Sequence, residues 1–130
     1  MITQKMKIMN FFKKKEIIIK DLDSFPLCDD KKGSRLWVNV SARISNGCLL
    51  ISGHDLGVSV SEFFGDSDYE YWYSFDVKNT KCLFTKLSEQ NPKLDFKELL
   101  LDNFSGLDGC SNLRNFCEKF GIKYKFSSYA

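Results

Sequence analysis

Between Leu36 and Ile44 apolar and polar positions alternate, with Leu36, Val38, Val40, Ala42 and Ile44 in one set and Trp37, Asn39, Ser41 and Arg43 in the other. Successive side chains of a strand point to opposite faces, so this pattern predicts a half-buried strand. Asn46-Gly47 follows, a dipeptide that tolerates the positive φ angles of a type I′ turn, whose twist suits two antiparallel strands. With those two residues as the loop, Ser45 faces Cys48, Ile44 faces Leu49, and Ala42 faces Ile51. That register gathers Val40, Ala42, Ile44, Leu49 and Ile51 on one side, and a slip of one residue destroys the agreement. Gly53-His54-Asp55-Leu56-Gly57 is read as the end of the hairpin.

The flanking pattern predicts the other elements. Residues 1–15 read as a basic lead-in ending in Lys13-Lys14-Lys15, with a solvated turn as the simplest role for the lysines. The β-branched run Ile17-Ile18-Ile19 predicts a short strand over Glu16 to Leu22. Asp23 to Ser34, rich in Asp, Lys, Pro and Gly, reads as a loop. Val58 to Phe64 is expected to be a short helix, with Ser59 and Glu62 at capping-box spacing and Gly65 to stop it; Asp66-Ser67-Asp68 then turns the chain. Tyr69 to Phe75 returns as a strand, with Tyr69, Tyr71, Tyr73 and Phe75 on one face and Glu70, Trp72, Ser74 and Asp76 on the other.

Three helices are expected next. Asn79 caps the first, which carries Cys82, Leu83 and Leu87 and is broken at Asn91-Pro92. Asp95 caps the second, with Phe96, Leu99, Leu100 and Phe104 on its apolar side and Gly106 after its end. Ser111 opens the third, in which Leu113, Phe116, Cys117 and Phe120 form one stripe and Gly121 stands at the C′ position. Ile122 to Phe126 alternates as a closing strand, with Lys123 and Lys125 outward. Strands first, then helices, then a last strand predict a single α+β domain over residues 1–130, an antiparallel sheet packed against about three C-terminal helices.

Charge sharpens this picture. From Gly53 to Asp76 there are six acids (Asp55, Glu62, Asp66, Asp68, Glu70 and Asp76) and no lysine or arginine, although the whole chain is +2. A near-neutral total argues against a dedicated nucleic-acid binder, whose affinity rests on neutralised phosphates. The basic-aromatic stretches Phe11 to Lys15 and Lys123 to Phe126 leave a nucleic-acid-binding module as an alternative. Five cysteines, none in a Cys-x-x-Cys pair, and one histidine predict reduced thiols and no metal site. Neither a signal peptide nor an apolar run long enough to span a bilayer is seen, so a cytoplasmic protein is expected.

Candidate chemistry is sparse. His54-Asp55 is the one place where a base sits beside a carboxylate, and catalysis there would need a third partner such as Tyr71 or a lysine. A small enzyme using this pair is the second alternative; the simpler reading has Asp55 capping the short helix and His54 filling a turn. Gly53-x-x-x-Gly57 lacks the Gly-Lys-Ser/Thr end of a P-loop, and Asp66, Asp68 and Glu70 lack the calcium-loop pattern. No catalytic residue and no cofactor is expected. The acidic block instead suggests a recognition surface, with Trp72 as an anchor, because tryptophan is enriched at interface hot spots.

The run Gly53-His54-Asp55-Leu56-Gly57, with Val60, Glu62, Phe64-Gly65 and Tyr69-Glu70-Tyr71-Trp72, resembles a pattern in small bacterial proteins of the form Gly-x-Asp-Leu-Gly…Val-x-Glu-x-Phe-Gly…Tyr-Glu-Tyr. His54 stands where that pattern more often has Gln. Some small proteins of this kind act as immunity partners of secreted or contact-delivered toxins. The resemblance covers about residues 47–76 and implies a non-enzymatic protein that blocks a toxin domain; the acidic block would suit a basic, nuclease-like one. Asp55, Glu62, Asp66, Asp68, Glu70, Trp72 and Asp76 are the candidate partner-binding residues.

Overall fold

The hairpin forms as its pattern requires. In a computed structural model that describes residues 16–33, 35–57 and 68–129, β2 (Leu36–Ser45) and β3 (Cys48–Leu56) pair antiparallel with Ser45 opposite Cys48, Ile44 opposite Leu49 and Ala42 opposite Ile51. Asn46 (φ 53°) and Gly47 (φ 79°) both lie in the left-handed region, as a type I′ turn demands. Asp21 fixes the turn further by accepting the Asn46 N–H at 3.0 Å. Val40, Ala42, Ile44, Leu49 and Ile51 are all buried.

β1 (Leu22–Lys32) and β4 (Asp68–Ser74) flank this pair, and β5 (Lys125–Tyr129) adds the last strand beside β4, giving a five-stranded antiparallel sheet in sequence order. Helices α1 (Val77–Gln90), α2 (Phe96–Phe104) and α3 (Gly109–Phe120) lie between β4 and β5 in the chain. Their Leu83, Leu87, Leu99, Leu100, Leu113 and Cys117 join Ile44, Leu49, Ile51, Tyr73 and Phe75 of the sheet side in one buried cluster. The helices therefore cover one face of the sheet. This is the expected α+β arrangement.

Several boundaries differ from the pattern-based expectation. The segment read as a loop, Asp23 to Ser34, is mostly strand β1, while residues 16–21 before it are not strand. Pro26 and the charged run Asp29 to Lys32 gave it the look of a loop. In an edge strand these are admissible: proline removes a donor that need not be used, and charge discourages pairing with another chain. The register shifts on both sides of Phe25-Pro26 let Leu27 and Cys28, neighbours in sequence, both be buried. The Leu27 carbonyl accepts the Gly106 N–H at 2.9 Å, tying this irregular stretch to the end of α2.

The hairpin does not end at Gly53. β3 continues through His54, Asp55 and Leu56, opposite Asn39, Val38 and Trp37. Gly53 is a strand residue because the Tyr71 ring of β4 lies where its Cβ would be. The cap of α1 is Asp76 rather than Asn79: Asp76 Oδ1 accepts the Asn79 N–H at 2.8 Å and the Asn79 side-chain amide at 3.0 Å. Asn79 instead accepts the Lys123 N–H at 2.8 Å, fastening the segment that leads to β5. Thr80, fully buried on α1, accepts the Leu49 N–H at 3.0 Å, so a core hydroxyl satisfies a strand donor beneath the helix.

Asp95 caps α2 as expected, and Glu98 returns the favour at 2.9 Å to the Asp95 N–H, completing a capping box. α3 begins at Gly109, two residues before Ser111, and ends at Gly121 in the left-handed conformation. The Ile122 N–H donates to the Cys117 carbonyl at 2.9 Å, so Ile122 closes the helix and is buried there. β5 consequently starts at Lys125 rather than Ile122. The expected helix over Val58 to Phe64, the Asp66-Ser67 part of the turn and the basic lead-in over residues 1–15 lie outside the described residues.

Candidate functional site

Strand parity divides the predicted site residues between two faces. Odd-numbered Ile51, Gly53 and Asp55 of β3 point with Tyr69, Tyr71 and Tyr73 of β4 toward the helices, while Ser52 and His54 point with Glu70 and Trp72 the other way. His54 and Asp55 are thus back to back across the sheet. They do not form the dyad that general-base chemistry would require; the short helix expected to take Asp55 as its cap lies outside the described residues. The partner of Asp55 is Tyr71, whose hydroxyl donates to Asp55 Oδ1 at 2.9 Å. Burial raises the Asp55 pKa while this hydrogen bond and the nearby His54 oppose the rise. The Tyr71 hydroxyl, desolvated and beside a carboxylate, is held protonated far above its ordinary range.

The face turned away from the helices is the candidate site. Among the described residues no helix or strand covers it. The cross-strand register lays Asp29, Asn39, His54, Glu70 and Tyr129 in one row over all five strands, with Ser41, Ser52, Trp72 and Ser127 in the next. A shallow depression of about 290 Å³ is sunk between these rows, bounded by Asp29, Asn39, Ser52, His54, Glu70 and Trp72 among others. Both tryptophans of the chain are on this face. Trp37 is 42% exposed, and its ring N–H donates to Asp29 Oδ1 at 2.9 Å; Trp72 is half-buried.

Charge is graded along the face. His54 Nε2 lies 3.9 Å from Asp68 Oδ1 and 4.0 Å from Glu70 Oε2, too far for hydrogen bonds but close enough for attraction when the ring is protonated. Although the His54 side chain is 38% exposed, the Nε2 atom itself is shielded from solvent and has no hydrogen-bond partner among the described residues. With Asp29 these groups make one end acidic. The row Arg43, Leu50, Ser74 and Lys125 makes the opposite end basic.

The acidic block is therefore not one surface. Asp68, Glu70 and Trp72 meet on the open face; Asp55 lies on the helix side; Asp76 is spent as the α1 cap, where the Asn79 N–H and amide hold its carboxyl below the ordinary range. Glu62 and Asp66 lie outside the described residues. Sequence reasoning missed Asp29, because its strand was read as a loop, and Trp37. The signal for Trp37 was present: a tryptophan in the polar set of an alternating strand is a large apolar ring facing away from the core.

Among the described residues no group of three or more histidine, cysteine or carboxylate side chains is placed to hold a metal ion, and none of the helices is long and apolar enough to cross a membrane. No family model, no curated protein and no solved structure matches the chain.

Proposed function

We propose that the chain is a non-enzymatic binding protein that grips a protein partner with the open face of its sheet, and specifically an immunity protein that blocks a basic, nuclease-like toxin domain. The observation that carries the reading is a face that no described helix or strand covers: five strands wide, holding both tryptophans and the acidic cluster of Asp29, Asp68 and Glu70. A surface of that size with aromatic anchors is what a protein interface uses, because buried tryptophan supplies much of the affinity and a polar rim excludes wrong partners.

The acidic end suits a cationic patch of the kind a nuclease uses to hold phosphates. Charge complementarity of this sort chiefly raises the association rate, while burial of Trp72 and Trp37 slows dissociation. The resemblance of Gly53 to Trp72 to small immunity-type proteins points the same way. We place the protein in the cytoplasm, where its five free cysteines suit a reducing compartment.

Protection tests the proposal. A candidate toxin domain, sought in the reading frames that neighbour this chain's gene, should arrest growth when expressed, and co-expression of the chain should restore growth. Trp72→Ala should lose that protection at equal expression. Growth arrest that the intact chain does not relieve would overturn the toxin reading.

A further inference from the structure

A second cavity, of about 290 Å³, lies on the helix side of the sheet between the β3–β4 pair and the start of α3. It is remote in kind from the open face: its walls include the successive tyrosines Tyr69, Tyr71 and Tyr73 of β4 and a pair of opposite charges. Asp55, from the far end of β3, accepts one hydrogen bond in it, from the Tyr71 hydroxyl at 2.9 Å. Arg114, from the second turn of α3, gives one, from Nη1 to the Tyr73 hydroxyl at 2.7 Å. Tyr71 and Tyr73 themselves meet edge to face at 6.3 Å, so the two hydroxyls and the charges they hold are set on a rigid aromatic base.

Asp55 and Arg114 do not pair with each other, and neither has an ion-pair partner among the described residues. The half-buried Asp55 carboxylate loses hydration, and on this side of the sheet its one hydrogen bond comes from a neutral hydroxyl; the favourable charge interaction it has is with His54, across the sheet. The guanidinium, on an exposed residue, uses one of its five donors on Tyr73 and leaves the others to solvent, where an anion can take the place of water. Beside the charges stand two partly exposed apolar groups, Leu107 at 39% and Phe126 at 48% exposure, the second resting edge-on against Tyr73, and both line the same cavity. An anionic group, a cationic group and an apolar wall around a space at the small end of ligand pockets describe a receptor for a molecule with the reverse arrangement.

We infer that this cavity binds a small zwitterion of the amino-acid class, with its ammonium at Asp55, its carboxylate at Arg114 and its apolar side chain against Leu107 and Phe126. No covalent step is involved. The site is independent of the open face, so it stands or falls without affecting the partner-binding reading.

Titration calorimetry of the full chain with L-phenylalanine, phenethylamine and 3-phenylpropionate separates the contributions. Phenylalanine should bind saturably, and each analogue, lacking one charge, about tenfold or more weakly. Arg114→Gln keeps a donor for Tyr73 and should reduce phenylalanine to the affinity of phenethylamine. Asp55→Asn keeps an acceptor for Tyr71 and should reduce it to that of 3-phenylpropionate. Near-UV circular dichroism establishes that each variant is folded; if Asp55→Asn is not, the Arg114→Gln comparison decides alone. Amide shifts clustered at Asp55, Tyr69 to Tyr73, Leu107 to Arg114 and Phe126 would locate the site. No saturable binding of phenylalanine up to its solubility, equal binding of all three compounds, or binding unchanged by Arg114→Gln would overturn the inference.

Discussion

Leu50 and Ile51 are neighbours on β3 and carry isomeric side chains, yet one is half-buried on the open face and the other is 1% exposed beneath the helices. The same contrast runs through β2, β3 and β4, whereas β5 is exposed on both sides. On the covered face, packing is continuous from Ile44 and Leu49 through Tyr73 and Phe75 to the three helices, and each residue is defined by its neighbours. On the open face, the rows through His54 and Trp72 have side chains in contact along the sheet but nothing above them among the described residues. One face holds the fold together. On our proposal the other is the recognition surface, whose two tryptophans a partner would take out of water.

The contrast is broken most directly by exchanging size for nothing at the two neighbours. Ile51→Ala should destabilise by about 2–5 kcal/mol in urea unfolding, the range for a buried aliphatic side chain whose cavity cannot collapse, whereas Leu50→Ala should cost less than about 1 kcal/mol. Equal costs would mean that the open face is packed after all. Gly53→Ala should follow, at about 1–3 kcal/mol, because the new methyl falls on the Tyr71 ring and must displace it. The same substitution should loosen the Tyr71–Asp55 hydrogen bond, visible as a change in tyrosine near-UV circular dichroism. Gly47→Val should cost about 1–2 kcal/mol, since a β-branched residue resists the positive φ that the turn requires.

Asp76→Ala should have the smallest effect and a distinctive pH dependence. The folded carboxyl is held below its ordinary value of 3.8, first by the Asn79 N–H and then by its side-chain amide. A lowered folded pKa gives stability that is present above the unfolded value and disappears as pH falls through the folded one. Wild type should therefore exceed Asp76→Ala at neutral pH, and the difference should vanish in acid. A gap that persists at pH 2 would assign the stabilisation to something other than the ionised cap.

How much of this was legible in the sequence depended on whether a pattern had one physical reading or two. The hairpin was legible because strand alternation and Asn46-Gly47 turn chemistry independently demand the same register. The α2 cap at Asp95 and the end of α3 at Gly121 were legible for the same kind of reason. β1 was not, because the charges and proline that protect an edge strand are also the composition of a loop. Ile122 shares the parity of Tyr124 and Phe126, yet it is consumed in closing α3, and parity does not encode where a helix lets go. For the site, the side of β4 bearing Glu70 and Trp72 followed from alternation. Asp55 was misplaced because two glycines were read as a turn; had β3 been extended through Gly53, parity alone would have sent His54 and Asp55 to opposite faces.

The central claim is that the open face, and not the helix side, meets the partner. It is tested by titrating a toxin domain that the chain neutralises in the growth assay with matched variants of the two faces. Trp72→Ala should weaken binding by about 2 kcal/mol or more, and the double reversal Asp68→Lys with Glu70→Lys should weaken it further and flatten its salt dependence. Arg114→Gln, on the helix side, should leave the affinity unchanged. Affinity that survives both open-face variants and falls with Arg114→Gln would contradict the account and move the interface to the other side of the molecule.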